Sequence, residues 1–355
     1  MKETSNANGV FHNVIMKDSS GHESTMVYVP CFALDEVIAG APHVPHPAFV
    51  IDGNVLDGFY ISKYQNVIIE GCACSLYDCD PATRVDFDTA RRACHEKGQG
   101  YHLMTAMEWG ALALLCQKNG WLPYGNNEMG KDWREERVVA RISYQNEEKA
   151  ICRTATGTGP LEWSHNRQAD GIYDLNGNVW EWVGGIRLVY GELQVLPNNH
   201  AASAKYSQNA DSEDWRAIDA TSGEWLVPTG YGTTTNSVKL DFVDGKWQYV
   251  GGAVTSMDHH YRYCDFSEIR TAPDLCEKAE WLLVALGCLP IDGGHGCQGV
   301  SLYANNGAAE RMAFRGGRWG QGINAGLWKT CFDDPRSYSG EAVGFRSAYY
   351  QLSSH

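Results

Sequence analysis

The stretch Phe314-Arg315-Gly316-Gly317-Arg318-Trp319 … Gly344-Phe345-Arg346 brackets a segment of a different kind, FRGGRWGQGINAGLWKTCFDDPRSYSGEAVGFR in full. Its ends are glycine, arginine and ring residues. Glycines admit close backbone approach, Trp319 and Phe345 each bring a large apolar area to bury, and Arg315, Arg336 and Arg346 each fork several hydrogen bonds into loops. The ends therefore read as scaffold. Between them, Leu327 to Asp333 alternates in a strand-like way. Trp328, Thr330 and Phe332 suit a core, and Lys329, Cys331 and Asp333 on the opposite side suit solvent. The loops Gly320–Asn324 and Tyr338–Ala342 flank this strand and extend the exposed side. A fixed frame with a free face predicts a display surface.

Working outward, Gly58-Phe59-Tyr60-Ile61-Ser62-Lys63-Tyr64-Gln65-Asn66 and Met26–Pro30 are rich in β-formers and read as strands. Between them Pro42, Pro45 and Pro47 predict loop. Residues 1 to about 25 are polar and read as an arm or edge strand. From Asp86, Phe87, Ala90, Ala93 and Cys94 recur at helical spacing and Gly98 closes the helix. Thr105-Ala106-Met107-Glu108 is a capping box, in which two side chains satisfy each other's orphan amides. It starts a helix apolar on most sides, hence buried, that stops near Gly120. Thr154–Pro160 is rich in Gly and Thr but lacks the Gly-Lys-Ser/Thr ending of a phosphate cradle, and reads as loop.

Three strings together, RGGRW-x-x-G-x-x-AG with PRS-x-S and GFRSA, Tyr101-His102-Leu103-Met104-Thr105-Ala106-Met107-Glu108-Trp109, and Asp170–Trp182 (DGIYDLNGNVWEW), resemble a known family. They are similar to the target proteins diversified by diversity-generating retroelements, built on the C-type-lectin-like fold of the formylglycine-generating-enzyme superfamily. The resemblance spans about residues 27 to 190 and 300 to 350. It implies an α+β fold with a mixed irregular sheet and two main helices. A single domain is expected over residues 1–355, with 314–346 as its variable region and 190–300 as an insertion. That insertion matches the family poorly; strand-like pieces surround Trp225 and Trp247, and Pro273 to Gly287 reads as a helix placed beside the variable face.

By motif position the resemblance implies twelve exchangeable, ligand-contacting residues: Gly320, Gln321, Ile323, Asn324, Lys329, Cys331, Asp333, Asp334, Tyr338, Gly340, Glu341 and Ala342. Such a surface works as antibody loops do, with rings and adaptable polar groups tried on a fixed frame. Template codons of the Asn type do not yield Gln321, Lys329 or Glu341 by adenine changes in their first two positions, so these three either come from other codons or are fixed.

The implied partner is a protein or glycan on a target cell surface, as in phage or prophage recognition of a host receptor, together with other tail proteins on a phage particle. The expected location is the virion tail tip, or the cytoplasm before assembly. A purely structural particle component is a further alternative, but docking needs a contiguous apolar patch and the predicted face is mixed.

The superfamily also implies a rival, a formylglycine-generating-type oxidase, in which two cysteine thiolates after the GG-aromatic frame hold copper. Those positions fall at about Gln321 and Gly326, and neither is Cys; Cys331 alone cannot make a two-thiolate site. No catalytic residues and no cofactor are therefore expected. Superfamily calcium sites make Asn178 and Glu181 candidates, against the preferred reading that they hydrogen-bond loop backbone.

Composition bounds the rest. The chain has 355 residues, 43% hydrophobic and 20% charged, and carries a formal charge of −14, which argues against a nucleic-acid backbone as partner. The start, Met1–Asn6, is polar with no apolar run behind it, so no signal peptide is seen, and no run of 18 apolar residues predicts membrane insertion. Twelve cysteines without an export signal read as free thiols. Cys72, Cys74 and Cys79 have no standard zinc spacing, so no metal is expected there; His43 and His46, and His259, His260 and Cys264, read as loop.

Overall fold

A computed structural model describes residues 11–351. Residues 1–10, the start of the expected arm, lie outside them; the arm's remainder includes an edge strand, His12–Lys17. This strand opens a five-stranded sheet in the order His12–Lys17, Glu23–Pro30, Gly58–Ser62, Ser347–Tyr349, Tyr101–Leu103. The second and third strands are the two read from β-formers. They pair antiparallel, with Tyr28 opposite Tyr60. The strand that follows the variable region thus slots between two strands from the first third of the chain.

Helix α1 (Phe87–His95) is capped by Asp86, whose side chain accepts from the Thr89 N–H. It buries Phe87, Ala90, Ala93 and Cys94, as the spacing predicts. Helix α2 (Ala106–Lys118) begins at the predicted capping box: Thr105 accepts from Glu108 N–H while the Glu108 carboxylate accepts from Thr105 N–H. All its residues from Ala106 to Cys116 are buried.

The second sheet has twelve strands. Its continuous path runs Arg262–Asp265, Ser301–Ala304, Gly326–Phe332, Arg311–Gly316, Trp180–Val189, Glu192–Val195, Lys239–Val243, Lys246–Val250, Arg270–Thr271. Seven of the twelve strands come from residues 190–300, so this stretch does more than sit beside the variable region: it continues the same sheet on both sides. Helix α3 (Glu277–Ala285) starts four residues after Pro273, capped by Cys276, and packs against α2. Close approach is enforced at Gly110, where any Cβ would lie 2.0 Å from the Ala285 carbonyl oxygen.

The Gly326–Phe332 strand corrects the sequence reading. It lies in the sheet interior, paired antiparallel with Arg311–Gly316 on one edge and parallel with Ser301–Ala304 on the other, and every one of its residues is buried. On one face Trp328 stacks on Phe266 at 5.6 Å. The other face, expected to meet solvent, is roofed by Trp180, Tyr303 and Phe314. Alternation of polar and apolar residues marked the two faces of the strand correctly but not their exposure.

Candidate functional site

The frame around the predicted face is built from arginines, each a hub, with Arg315 and Arg346 buried and Arg336 half-buried. Arg315 donates to the carbonyls of Leu286 and Gly287, tying the frame to the end of α3. Arg346 donates to both Glu181 oxygens, at 2.6 and 2.7 Å, and to the carbonyls of Ser62 and Tyr173. Arg336 pairs with Glu310 and Asp88 and donates to the Gln208 carbonyl. Trp319 is 5% exposed and Phe345 fully buried. Gly316 and Gly317 have φ of 85° and 87°, the left-handed region that side chains avoid. These features match the scaffold role read from the sequence.

Asn178 and Glu181, the calcium candidates, are both engaged. The Asn178 side chain joins Asn126, Thr154 and Gln65, and Glu181 is neutralised by Arg346 and accepts from Gln65 Nε2 at 3.0 Å. A buried carboxylate already matched by a bidentate guanidinium has no charge left to offer a hard cation.

Of the twelve predicted contact residues, ten keep accessible surface and two do not. Lys329 is 0% exposed and Cys331 is 7% exposed. The Lys329 ammonium donates to Ser301 Oγ and lies 3.9 Å above the Tyr303 ring and 5.6 Å from that of Trp180. Burial pulls its pKa down to about 7, with the nearby Cys331 opposing. Burial raises the Cys331 thiol, and the carboxylates of Asp334 and Asp333 add to the effect. Neither side chain is placed to touch a ligand directly; both underlie the face.

The remaining ten fall in two loops. In the first, Gly320 bridges to Glu128, and the N–H groups of Gln321 and Gly322 both donate to the Asn127 carbonyl. Gln321 turns inward to accept from the Arg318 N–H. Ile323, 47% exposed, covers Gly299 of the 190–300 stretch, and Asn324 is exposed beside it. In the second loop Tyr338, 41% exposed, stands edge-on to Phe314 at 6.0 Å and closes over Gly340. Glu341 meets Arg84 at 3.4 Å, and the Ala342 carbonyl accepts from Trp180 N–H.

Asp333 and Asp334 are half-buried neighbours. Burial raises both, Asp334 to about 6 with the Asp333 charge adding, while Arg311 opposes through space. The two loops meet at Arg318, which lies against Gly320 and is near enough to Tyr338 to act on its hydroxyl.

The sequence reading missed three rings beside this face. Tyr261 and Tyr263 are 55% and 57% exposed, and both contact half-buried Tyr303, at 5.7 and 5.0 Å between centroids. The signal was present as Tyr261-Arg262-Tyr263-Cys264, a strand alternation with tyrosine on one side.

One further cluster, Asp18, His22 and Cys74, has donor atoms all within 4.8 Å of one another. It already encloses a cation: the buried Lys97 ammonium lies 3.8 Å from Asp18 Oδ2 and 4.7 Å above the Tyr101 ring.

Residues 51–219 match the model of the FGE-sulfatase family, the sulfatase-modifying factor enzyme 1-like domain. The architecture of the chain is α+β, sheet-dominated with three helices among the described residues. No curated protein matches this chain. Among solved structures it is similar to PvdO from Pseudomonas aeruginosa (14% identity, TM-score 0.36, covering 96% of this chain and 99% of that one). It is also similar to Treponema denticola variable protein 1 (11%, 0.34, 96% and 99%) and to the Major Tropism Determinant U1 variant (11%, 0.31, 96% and 72%).

Proposed function

We propose that this chain is a non-enzymatic ligand-binding protein whose surface within residues 314–346 is exchanged by a diversity-generating retroelement through adenine-directed mutagenic retrohoming. The observation that carries the reading is the separation of roles inside that segment. Arg315, Trp319, Phe345 and Arg346 are buried and multiply tied, while Gly320, Ile323, Asn324 and Tyr338 stand exposed on the loops between them. Side chains on such loops can be replaced without touching the hubs. Lys329 and Cys331 leave the contact set, which becomes Gly320, Gln321, Ile323, Asn324, Asp333, Asp334, Tyr338, Gly340, Glu341 and Ala342. Residues 1–355 act as one domain in this reading, with 190–300 as an insertion that buttresses the face.

The partner in this reading is a protein or glycan on a target cell, met by a phage or prophage tail-tip protein alongside other tail proteins. Among the described residues no helix is long and apolar enough to cross a membrane. The oxidase alternative lacks both cysteines at the copper positions, where Gln321 and Gly326 stand, and fold without its site does not carry function. Sequencing the flanking DNA tests the proposal: a near-copy of the segment encoding about residues 320 to 346, differing mainly at adenines, is expected beside a reverse transcriptase. A locus lacking both overturns it.

A further inference from the structure

The sheet register places the three tyrosines and Asp333 on one surface, and Asp334, which follows in a bend, lies near enough to Cys331 and Asp333 to act on both. Tyr263, Tyr303 and Cys331 are cross-strand neighbours in a single row. The row one step on holds Tyr261, Asn305 and Asp333, because residues two apart on a strand share a face. Strands lie about 4.8 Å apart, so the backbone at Tyr261 lies about 10 Å from that at Asp333, two strands across. These rings come from residues 190–300, outside the exchanged segment, and the aspartates from within it.

The chemistry of this surface is one-signed. Ring faces carry a negative quadrupole that attracts cations. Asp333 and Asp334 bring two adjacent carboxylates which, among the described residues, form no ion pair; Arg311 acts on them only through space and its Nη1 donates instead to the Glu310 carbonyl. The molecule holds a cation of its own on one of these rings, the Lys329 ammonium 3.9 Å above the half-buried Tyr303. Tyr261 and Tyr263 face solvent.

Resting on the reading above, we infer that Tyr261, Tyr263 and Tyr303 with Asp333 and Asp334 form a docking surface for a lysine- or arginine-bearing polypeptide segment of the partner. One guanidinium or ammonium of the segment stacks on a tyrosine and a neighbouring one is neutralised by the aspartate pair. The rings are the constant part of the surface. The charges belong to the exchangeable part, so the preference for a cation is a property of this version of the segment.

The test uses the full chain and a fluorescent Gly-Arg-Gly-Arg-Gly-Arg peptide, with affinity read by anisotropy at physiological salt. Tyr261→Ala with Tyr263→Ala is expected to weaken binding about tenfold, and the Phe pair, which keeps the rings, to retain it within about threefold. Asp333→Asn with Asp334→Asn is expected to weaken it as much as the Ala pair. The control Glu147→Gln with Glu148→Gln, two exposed charges elsewhere, is expected to change nothing. Equal loss in the control and the Asp pair would mean general attraction to a chain of charge −14 and would overturn the inference. So would an absence of peptide binding, or binding of a neutral oligosaccharide such as chitotetraose that needs the tyrosines but not the aspartates. If the Asp pair fails to fold, the contrast between the Ala and Phe pairs decides. The flanking DNA decides the parent reading separately, so failure of one leaves the other standing.

Discussion

Lys329 shows how a single residue departs from its pattern. Read in sequence it is one polar side chain in an alternating strand; in the fold it is an ammonium sealed between Ser301, Tyr303 and Trp180. Its pKa of about 7 lies below that of an exposed lysine, so the unfolded chain binds the proton more tightly. The stability penalty is therefore complete below about pH 7, shrinks as pH rises, and vanishes near the ordinary lysine value. Lys329→Met is expected to stabilise the protein at pH 7 by about 2 kcal/mol or more after the lost cation–π contacts are subtracted, and by less at pH 9.5. Denaturant titrations at the two pH values measure this; a gain that grows with pH would contradict the buried ammonium. By contrast, Ile323→Ala and Asn324→Ala, on the open loop, should each change stability by less than about 1 kcal/mol.

At the scale of elements, the frame should be brittle where the loops are tolerant. Phe345→Ala is expected to cost about 3 to 5 kcal/mol, because the ring is wholly buried. Arg346→Met should cost about as much by stranding the Glu181 carboxylate in the interior. Thermal or denaturant melts of the two variants check this, and negligible effects would remove the scaffold from under the display surface.

The helices were legible because their signals are local: the Phe87–Cys94 spacing lies within one helix, and the Thr105–Glu108 box is contained in four residues and forms as read. The frame was legible for a related reason, since Gly, Arg and ring residues at fixed spacing have few other uses. Burial of the Gly326–Phe332 strand was not legible, because it depends on Ser301–Ala304 pairing along its second edge and on Trp180 roofing it, partners 20 to 150 residues away. The tyrosine surface was hidden for the same reason. Its members converge only when the 190–300 stretch joins the common sheet.

For the molecule as a whole, acid should be the weak side. His46 and His165 are buried, neutral, and held near a pKa of about 3 chiefly by burial, each with an unpartnered Nε2. The unfolded chain takes up both protons near pH 6.5, so the stability these groups contribute is present above that value and lost as pH falls toward 3. Asp174, raised to about 6 by burial, works in the opposite sense between about 6 and its ordinary value and offsets one of the two. A net fall of about 1.4 kcal/mol per pH unit is expected from these three between pH 6 and 4. A flat profile of unfolding midpoints across that range would contradict it. As for catalysis, copper titration with a sulfatase-type cysteine peptide should yield no aldehyde, and any aldehyde detected by hydrazide capture would revive the oxidase.

The Ser347–Tyr349 strand adds a consequence for the exchange proposed above. It is wedged between Gly58–Ser62 and Tyr101–Leu103, so the amino-terminal sheet is incomplete until translation has passed, in frame, through everything from Phe314 to Arg346. A copying error that shifts the reading frame or introduces a stop leaves a gap in that sheet and yields a chain that cannot close. Under the exchange proposed above, the architecture itself thus screens out such versions of the segment.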